Sequence, residues 1–138
     1  MEPIKFSIKS HPKQVSTACI ILRNSLDSIN ISKTTLDKVE LSLAEALNNI
    51  IEHAYQENYN YPIDIEVRKK HKTLEIKLED YGLPRKNLKK PVIEFDPDDI
   101  QNLPEGGFGL FLIETMMDEN TYKYVEGKNI FIMKKILN

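Results

Sequence analysis

The sequence predicts an α+β fold, a two-layer sandwich in which a mixed, mostly antiparallel five-stranded sheet has three helices on one face. Two observations predict this class: five short segments alternate apolar and polar residues, and three longer segments repeat apolar residues at helical spacing. The predicted strands cover residues 4–8, 61–68, 73–79, 121–125 and 130–136, and the predicted helices cover residues 12–29, 33–55 and 109–119. A chain of 138 residues suits one domain, so residues 1–138 are expected to share one core.

The elements also have local signals at their ends. Strict alternation over residues 4–8 predicts a half-buried first strand. Ser32 or Thr34 can cap the second helix, because a hydroxyl at that position accepts a bond from a free backbone N–H group. The short connections at 71–72 and 126–128 predict that the strands on either side of each pair as hairpins.

Composition makes several function classes improbable. The net charge of −2 gives no basic field, so direct binding of DNA or RNA is not expected. No run reaches the roughly 18 apolar residues of a membrane span, and the N-terminus lacks a signal-peptide pattern, which predicts a cytoplasmic protein without membrane contact. The single cysteine, Cys19, excludes an intramolecular disulfide, and its helical spacing to Val15 and Leu22 predicts a small core residue.

A polar stripe follows the second predicted helix. Glu45, Asn49 and His53 are four residues apart, so each lies about 40° around the helix from the one before. A wide apolar face lies beside the stripe and consists of Leu43, Ala44, Leu47, Ile50, Ile51 and Ala54. Such a stripe either faces solvent or lines a pocket. The neighbouring Asn48 and Asn49 have modest helix propensity, which makes two together in a helix interior unusual unless they serve a purpose.

Asp80 ends a predicted strand in a position that favours burial. Leu74, Ile76 and Leu78 point to one side of that strand, and Asp80 shares their parity, so its carboxyl group is expected to face the core. A buried carboxylate needs hydrogen-bond donors. The alternative is a turn aspartate that caps the backbone before Gly82, because Asp-x-Gly segments favour turns.

A glycine-rich segment opens the third predicted helix. Its residues are Gly106, Gly107, Phe108, Gly109 and Leu110. Glycines at this place let consecutive backbone N–H groups point at phosphate oxygens, and the helix dipole adds positive potential. The ordinary alternative is a flexible hinge at a helix start.

Three segments follow one another along the chain: Glu45–Tyr55, Asp80–Pro84, and Gly106–Leu110, which continues into Met117–Glu119. In order and spacing, they resemble the nucleotide-binding boxes of the GHKL ATPases. Within that superfamily, the chain is most similar to the small anti-sigma-factor serine kinases. Each box alone is common, but the ordered set is specific and spans nearly the whole chain. The resemblance implies one histidine-kinase-like ATPase domain with the Bergerat fold, ATP or ADP as its nucleotide, and Mg²⁺ as its cation.

The resemblance also implies a role for each site residue. Asp80 would accept a hydrogen bond from the exocyclic amino group of adenine, and Gly82 would let the backbone approach the base or adopt a positive φ. Asn49 would be the Mg²⁺ ligand, and Glu45 the general base for the attacking hydroxyl. For His53, packing or hydrogen bonding is expected rather than catalysis. The phosphate-binding set would be Gly106, Gly107, Phe108, Gly109 and Leu110.

Residues 83 to 105 form a long irregular segment with four prolines, and loops of this length are usually functional or disordered. By resemblance this segment is the ATP lid. Its charges are sorted, basic in the first half and acidic in the second, which suits either a solvated loop or a lid whose basic half reaches phosphates. Glu105 stands where relatives often have a basic or hydroxyl residue, and its role stays open.

Two functions follow from the resemblance. The first is an ATP-dependent serine kinase that phosphorylates an anti-sigma-factor antagonist, sequesters a sigma factor and forms a homodimer. The alternative is a non-catalytic ATP-binding anti-sigma or partner-switch module. The detached catalytic domain of a sensor histidine kinase is less favoured, because no phosphoacceptor hairpin of helices is expected before the first strand.

Overall fold

The computed structural model describes residues 1–85, 97–99 and 109–137. Its elements occur in the predicted order, and the α+β class is confirmed. The strands are β1 (Ile4–Lys9), β2 (Pro62–Lys70), β3 (Thr73–Asp80), β4 (Glu119–Val125) and β5 (Lys128–Ile136), and the helices are α1 (Pro12–Ser25), α2 (Lys33–Asn49) and α3 (Gly109–Met116). A π-helical turn, Ile50–Ala54, directly continues α2.

Two helices end earlier than the sequence predicts. Helix α1 stops at Ser25 rather than at residue 29, and the Ser25 hydroxyl turns back to donate to the carbonyl of Ile21 over 2.5 Å. Helix α3 stops at Met116 rather than at residue 119, because the Asp118 N–H group already bonds the carbonyl of Lys134 and so begins the pairing of β4 with β5. After Ser25 the chain continues in backbone turns, in which Asp27 N bonds the carbonyl of Asn24 and Ile29 N bonds that of Leu26, whereas after α3 it enters the sheet.

The second predicted helix changes type near its end. Ser32 rather than Thr34 is its N-cap, since the Ser32 hydroxyl accepts from Thr35 N over 3.2 Å. After Asn49 the chain forms the π-helical turn, in which Tyr55 N bonds the carbonyl of Ile50. Single π-helical turns within helices are frequent at functional sites. Here the turn begins immediately after a predicted site residue.

The sheet has the strand order β1-β2-β3-β5-β4. Both predicted hairpins are confirmed. The four described pairings are all antiparallel, so the sheet of the described residues is antiparallel rather than mixed as the sequence predicts. The register places Asp80 of β3 between Ile63 of β2 and Asn129 of β5. The carboxyl end of β3 thus lies in the middle of the sheet.

The core lies between the helices and one face of the sheet. Leu74, Ile76 and Leu78 are completely buried on this face, as their alternation predicts. Cys19 lies in the same core, and burial raises the pKa of its thiol to about 11. Its burial in this cluster confirms the prediction that Cys19 is a core residue. Among the described residues, no helix has the length and apolar content to cross a membrane.

Candidate functional site

The start of α3 lies directly against the polar stripe of α2. A Cβ atom placed on Gly109 would be 2.9 Å from Glu45 Oε2 and 3.2 Å from Asn49 Nδ2. Atoms in ordinary van der Waals contact are 3.4 to 4 Å apart, so only glycine fits here without displacing these two side chains. Glu45 and Asn49 therefore face a neighbouring element rather than open solvent.

Both polar groups in this contact are partly withdrawn from water. Burial, and secondly the charge of Glu52, raise the pKa of the Glu45 carboxyl group. The Nδ2 atom of Asn49 is buried, and none of the described residues accepts a hydrogen bond from it. An unsatisfied buried donor is costly. A bound group with free oxygen atoms would remove that cost.

The side chain of Asn49 also has an oxygen atom of the kind that a hard cation such as Mg²⁺ binds. No cluster of three or more His, Cys, Asp or Glu side chains that could hold a metal occurs in the described part of the chain. Mg²⁺ is often held by one or two protein oxygens together with substrate phosphates and water. Asn49 Oδ1 provides one such oxygen, and Asn49 Nδ2 provides a donor for a phosphate oxygen, so the residues present fit a nucleotide with its magnesium ion.

His53 is the member of the predicted stripe that the structure does not place in the site. Its side chain is 69% exposed, and its Nε2 atom lies 3.7 Å from the carboxylate of Glu52. This exposure contradicts a packing role for His53, whereas the hydrogen-bonding role expected as the alternative stays a prediction. The π-helical turn begins between Asn49 and His53, so the α-helical spacing that places His53 on the predicted stripe does not continue to that residue.

Asp80 is buried, with 1% of its surface exposed, as its parity in β3 predicts. Its Oδ1 atom accepts hydrogen bonds from Asn129 Nδ2 over 2.8 Å and from Gly82 N over 3.0 Å. The second bond is the turn-capping contact that was the alternative reading, so the buried and the capping roles coexist. Burial raises the pKa of the Asp80 carboxyl group, while these two hydrogen bonds and the charge of Arg85 oppose the rise.

Gly82 is required for a close approach of two backbone segments. A Cβ atom on Gly82 would lie 2.4 Å from the carbonyl oxygen of Ala54 at the end of the π-helical turn. The next N–H group, of Leu83, donates to that oxygen over 2.9 Å. The only glycine with a positive φ among the described residues is Gly127, so the positive φ suggested for Gly82 is wrong. The approach observed is to protein backbone.

Two residues that the sequence analysis does not identify, Tyr122 and Asn129, fix the orientation of Asp80. Arg85 N donates to Tyr122 Oη over 2.8 Å, and the Tyr122 hydroxyl in turn donates to Asn129 Oδ1 in a short hydrogen bond. This leaves Asn129 Nδ2 to donate to Asp80 and to the carbonyl of Leu83. The direction of every bond follows from the backbone N–H group, which can only donate. Asn129 could have been found by parity, since it shares the inward side of β5 with Phe131 and Met133.

Three residues of the predicted phosphate-binding segment, Gly106, Gly107 and Phe108, lie outside the described residues. Glu105 also lies outside them. Gly109 is the first residue of α3, and Leu110 is half-buried in its first turn. Of the predicted lid, only residues 83–85 and 97–99 are described. In the latter stretch, the Asp98 carboxylate lies 2.8 Å from Lys38 Nζ on α2.

The model of one protein family, described as a histidine kinase-like ATPase domain, matches residues 8–135. This chain belongs to the histidine kinase-like ATPase domain family. The family predicted from the ordered boxes is thereby confirmed.

Curated relatives agree with the family. The chain is 28% identical over 136 residues to the serine-protein kinase RsbW of Oceanobacillus iheyensis, covering 96% of this chain and 86% of the relative. It is 26% identical over 140 residues to the protein of the same name in Listeria monocytogenes, covering 99% and 88%. These names match the serine kinases that the sequence resembles.

Two solved structures share the fold. The RsbU and RsbW domains of a Mycobacterium tuberculosis protein align with a TM-score of 0.70 at 14% identity, over 99% of this chain and 33% of that one. The SiaB–SiaC complex of Pseudomonas aeruginosa aligns with a TM-score of 0.62 at 14% identity, over 97% and 89%. At such identity the likeness shows the fold alone.

Proposed function

We propose that this chain is an ATP-dependent serine kinase that phosphorylates an anti-sigma-factor antagonist and alternately sequesters a sigma factor. The observation that carries this proposal is the contact of Glu45 and Asn49 with Gly109, where a carboxylate and an unsatisfied amide donor meet the start of α3. The family supports nucleotide binding, and the relatives named serine-protein kinase support transfer to serine.

The nucleotide would be ATP, with ADP as product. Asp80 would accept a hydrogen bond from the exocyclic amino group of adenine, because its carboxyl group is buried, held in one orientation by Asn129, and close to the end of its strand. Asn49 would hold Mg²⁺, which when bound neutralises phosphate charge. Backbone N–H groups around Gly109, together with Leu110, would hold phosphate oxygens at the start of α3. We extend this role to Gly106, Gly107 and Phe108.

Glu45 would act as the general base. Burial raises the pKa of its carboxyl group, so Glu45 has a stronger tendency to take up a proton than an exposed glutamate. The proton it receives would come from the serine hydroxyl as the oxygen attacks the terminal phosphorus. Transfer also depends on alignment, and the contact with Gly109 restricts where the carboxylate can lie.

The partners follow from the relatives. A solved neighbour is a complex of two proteins, SiaB and SiaC, and by analogy this chain would bind a small protein that carries the acceptor serine. A homodimer acting in the cytoplasm, where it would regulate transcription through a sigma factor, completes the proposal.

The test is Glu45→Gln, a change that keeps the size of the side chain and removes its basicity. With ATP, Mg²⁺ and the antagonist protein, we expect the rate of phosphoserine formation to fall about 10²-fold or more, while ADP affinity measured by calorimetry stays within about threefold. Glu57→Gln is the matched control, because Glu57 is an exposed acid just after the π-helical turn.

A Glu45→Gln protein that transfers phosphate at the wild-type rate would show that Glu45 is not the base. Wild-type protein that binds ATP and the partner but yields no phosphoserine would instead favour the non-catalytic partner-switch module. Wild-type protein that binds no nucleotide would refute the proposed function as a whole.

A further inference from the structure

The side chain of Arg85 lies on the inner face of the sheet. Its guanidinium carbon is 5.6 Å from the centre of the Tyr122 ring and 5.3 Å from the centre of the Phe131 ring. Both rings belong to the paired strands β4 and β5, and Phe131 is part of the hydrophobic core. A guanidinium group here is largely removed from water, which lowers its pKa.

Two donors of this guanidinium group are unsatisfied. The Nε and Nη2 atoms are buried, and no residue in the described part of the chain accepts a hydrogen bond from either. Aromatic rings attract a cation, but they do not replace hydrogen-bond acceptors at the edge of the guanidinium plane. A buried charged donor without an acceptor is costly to stability. Such a cost is understandable where a ligand supplies the acceptors.

Arg85 is also held beside the carboxylate that the proposed function assigns to the purine. Its backbone N–H group is joined to Asp80 by the hydrogen bonds through Tyr122 and Asn129. The two charges sense each other, since each shifts the pKa of the other group toward its charged form. A fixed acceptor and a set of free donors therefore occur together at one end of the sheet.

A 6-aminopurine has the complementary arrangement along its edge. Its exocyclic amino group donates, and the ring nitrogens N1 and N7, one on each side of that group, accept. We propose that Arg85 is a base-reading residue, which donates a hydrogen bond to the ring nitrogen beside the amino group while Asp80 accepts from the amino group itself. The inference depends on the proposed function, because it requires an adenine nucleotide at Asp80.

The first test is Arg85→Met, because methionine keeps the length and the contact with both rings while removing the donors. We expect ATP affinity, measured by calorimetry with Mg²⁺, to fall ten- to a hundredfold, the loss that accompanies one missing hydrogen bond to a charged group. The matched control is Lys128→Met. Lys128 also lies over an aromatic ring, 5.8 Å from the centre of Tyr81, but its removal should leave ATP affinity unchanged.

Analogues of ATP identify the atom that is read. Wild-type protein should bind either 1-deaza-ATP or 7-deaza-ATP at least tenfold more weakly than ATP, since one of the two lacks the accepting nitrogen. Arg85→Met should bind that analogue and ATP equally well. This equality is not expected if Arg85 only supports the shape of the pocket.

Thermal unfolding without nucleotide separates a ligand-binding role from a structural one. Arg85→Met removes two buried donors without acceptors but also removes the attraction between Arg85 and Asp80. Because these effects oppose each other, its Tm should stay close to that of the wild type. Three results would overturn the inference. Arg85→Met could bind ATP as tightly as the wild type or more tightly, or its Tm could fall enough to explain the weaker binding. Alternatively, wild-type protein could bind both deaza analogues as tightly as ATP. If wild-type protein binds ATP and Asp80→Asn weakens that binding, the proposed nucleotide site survives even when Arg85 has no part in it.

Discussion

Replacing Gly109 with alanine tests whether the first residue of α3 sets the position of the proposed base and magnesium ligand. The added Cβ atom would lie 2.9 Å from Glu45 Oε2 and 3.2 and 3.4 Å from Asn49 Nδ2 and Oδ1. Ordinary contact needs 3.4 to 4 Å, so the carboxylate of Glu45 must retreat by about 0.5 to 1 Å. The groups that must move are ends of side chains, whereas the backbone of α3 can stay in place.

The displacement should reduce catalysis far more than stability. A misplacement of about 1 Å at a reacting group can cost about 10²-fold in rate, so we expect phosphoserine formation to fall ten- to a hundredfold. Alanine is a better helix former than glycine by about 0.5 to 1 kcal/mol. The free energy of unfolding should therefore stay the same or rise by up to about 1 kcal/mol.

The assay pairs a rate with two equilibrium measurements. Phosphoserine formation on the antagonist protein gives the rate, urea denaturation gives stability, and calorimetry gives ADP affinity with and without Mg²⁺. Because the amide of Asn49 is also displaced, the gain in ADP affinity on adding Mg²⁺ should shrink in Gly109→Ala. If Gly109→Ala lost so much stability that part of the protein was unfolded in the assay, the lower rate would reflect a folding defect instead.

Gly127→Ala is the matched control. Gly127 lies in the turn between β4 and β5 with φ of 79° and nothing within 4 Å of an added Cβ atom. Strain from a side chain at positive φ should cost about 1 to 2 kcal/mol of stability, with the transfer rate unchanged. If Gly109→Ala transferred phosphate as fast as the wild type, the idea that this glycine positions Glu45 would be refuted.

Two further predictions concern the end of β3. Burial raises the pKa of native Asp80, so Asp80 keeps its proton to a higher pH in the folded protein than in the unfolded chain, and its ionisation destabilises the fold as pH rises. In urea denaturation, the nucleotide-free Asp80→Asn protein should therefore gain stability relative to the wild type as pH rises above about 4, the pKa of an ordinary aspartate. A difference in stability that does not change with pH would contradict this. Gly82→Ala should lower the free energy of unfolding by about 1 to 3 kcal/mol. The added Cβ atom would lie 2.4 Å from the backbone oxygen of Ala54, which cannot rotate away as a side chain can. A urea midpoint equal to that of the wild type would contradict this prediction.

The sequence predicts well wherever the direction of a side chain is a local property. Alternation along a strand places every second residue on one face, so the burial of Asp80 follows from its parity with Leu78 alone. The same holds for both hairpins, because short connections leave antiparallel pairing as the simplest geometry. Helix ends were less accurate, since α3 gives way to the sheet when Asp118 begins to pair with Lys134.

Features that depend on contacts between distant segments could not be predicted this way. The π-helical turn, and with it the outward position of His53, interrupts a regular α-helical repeat, and its last carbonyl is paired with Leu83 from far along the chain. The burial of the Arg85 guanidinium group also depends on a contact between distant segments. It packs against the ring of Tyr122, which lies 37 residues away along the chain.

By itself, the sequence determined the fold class, the family and the inward orientation of Asp80, because periodicity and the spacing of the motifs are written in consecutive residues. Only the tertiary structure decided what those residues meet. The pairing of β3 with β5 brings Asn129 to Asp80, and the packing of α3 on α2 brings Gly109 against Glu45. Such neighbours are set by how the whole chain closes around its core, which no local pattern encodes.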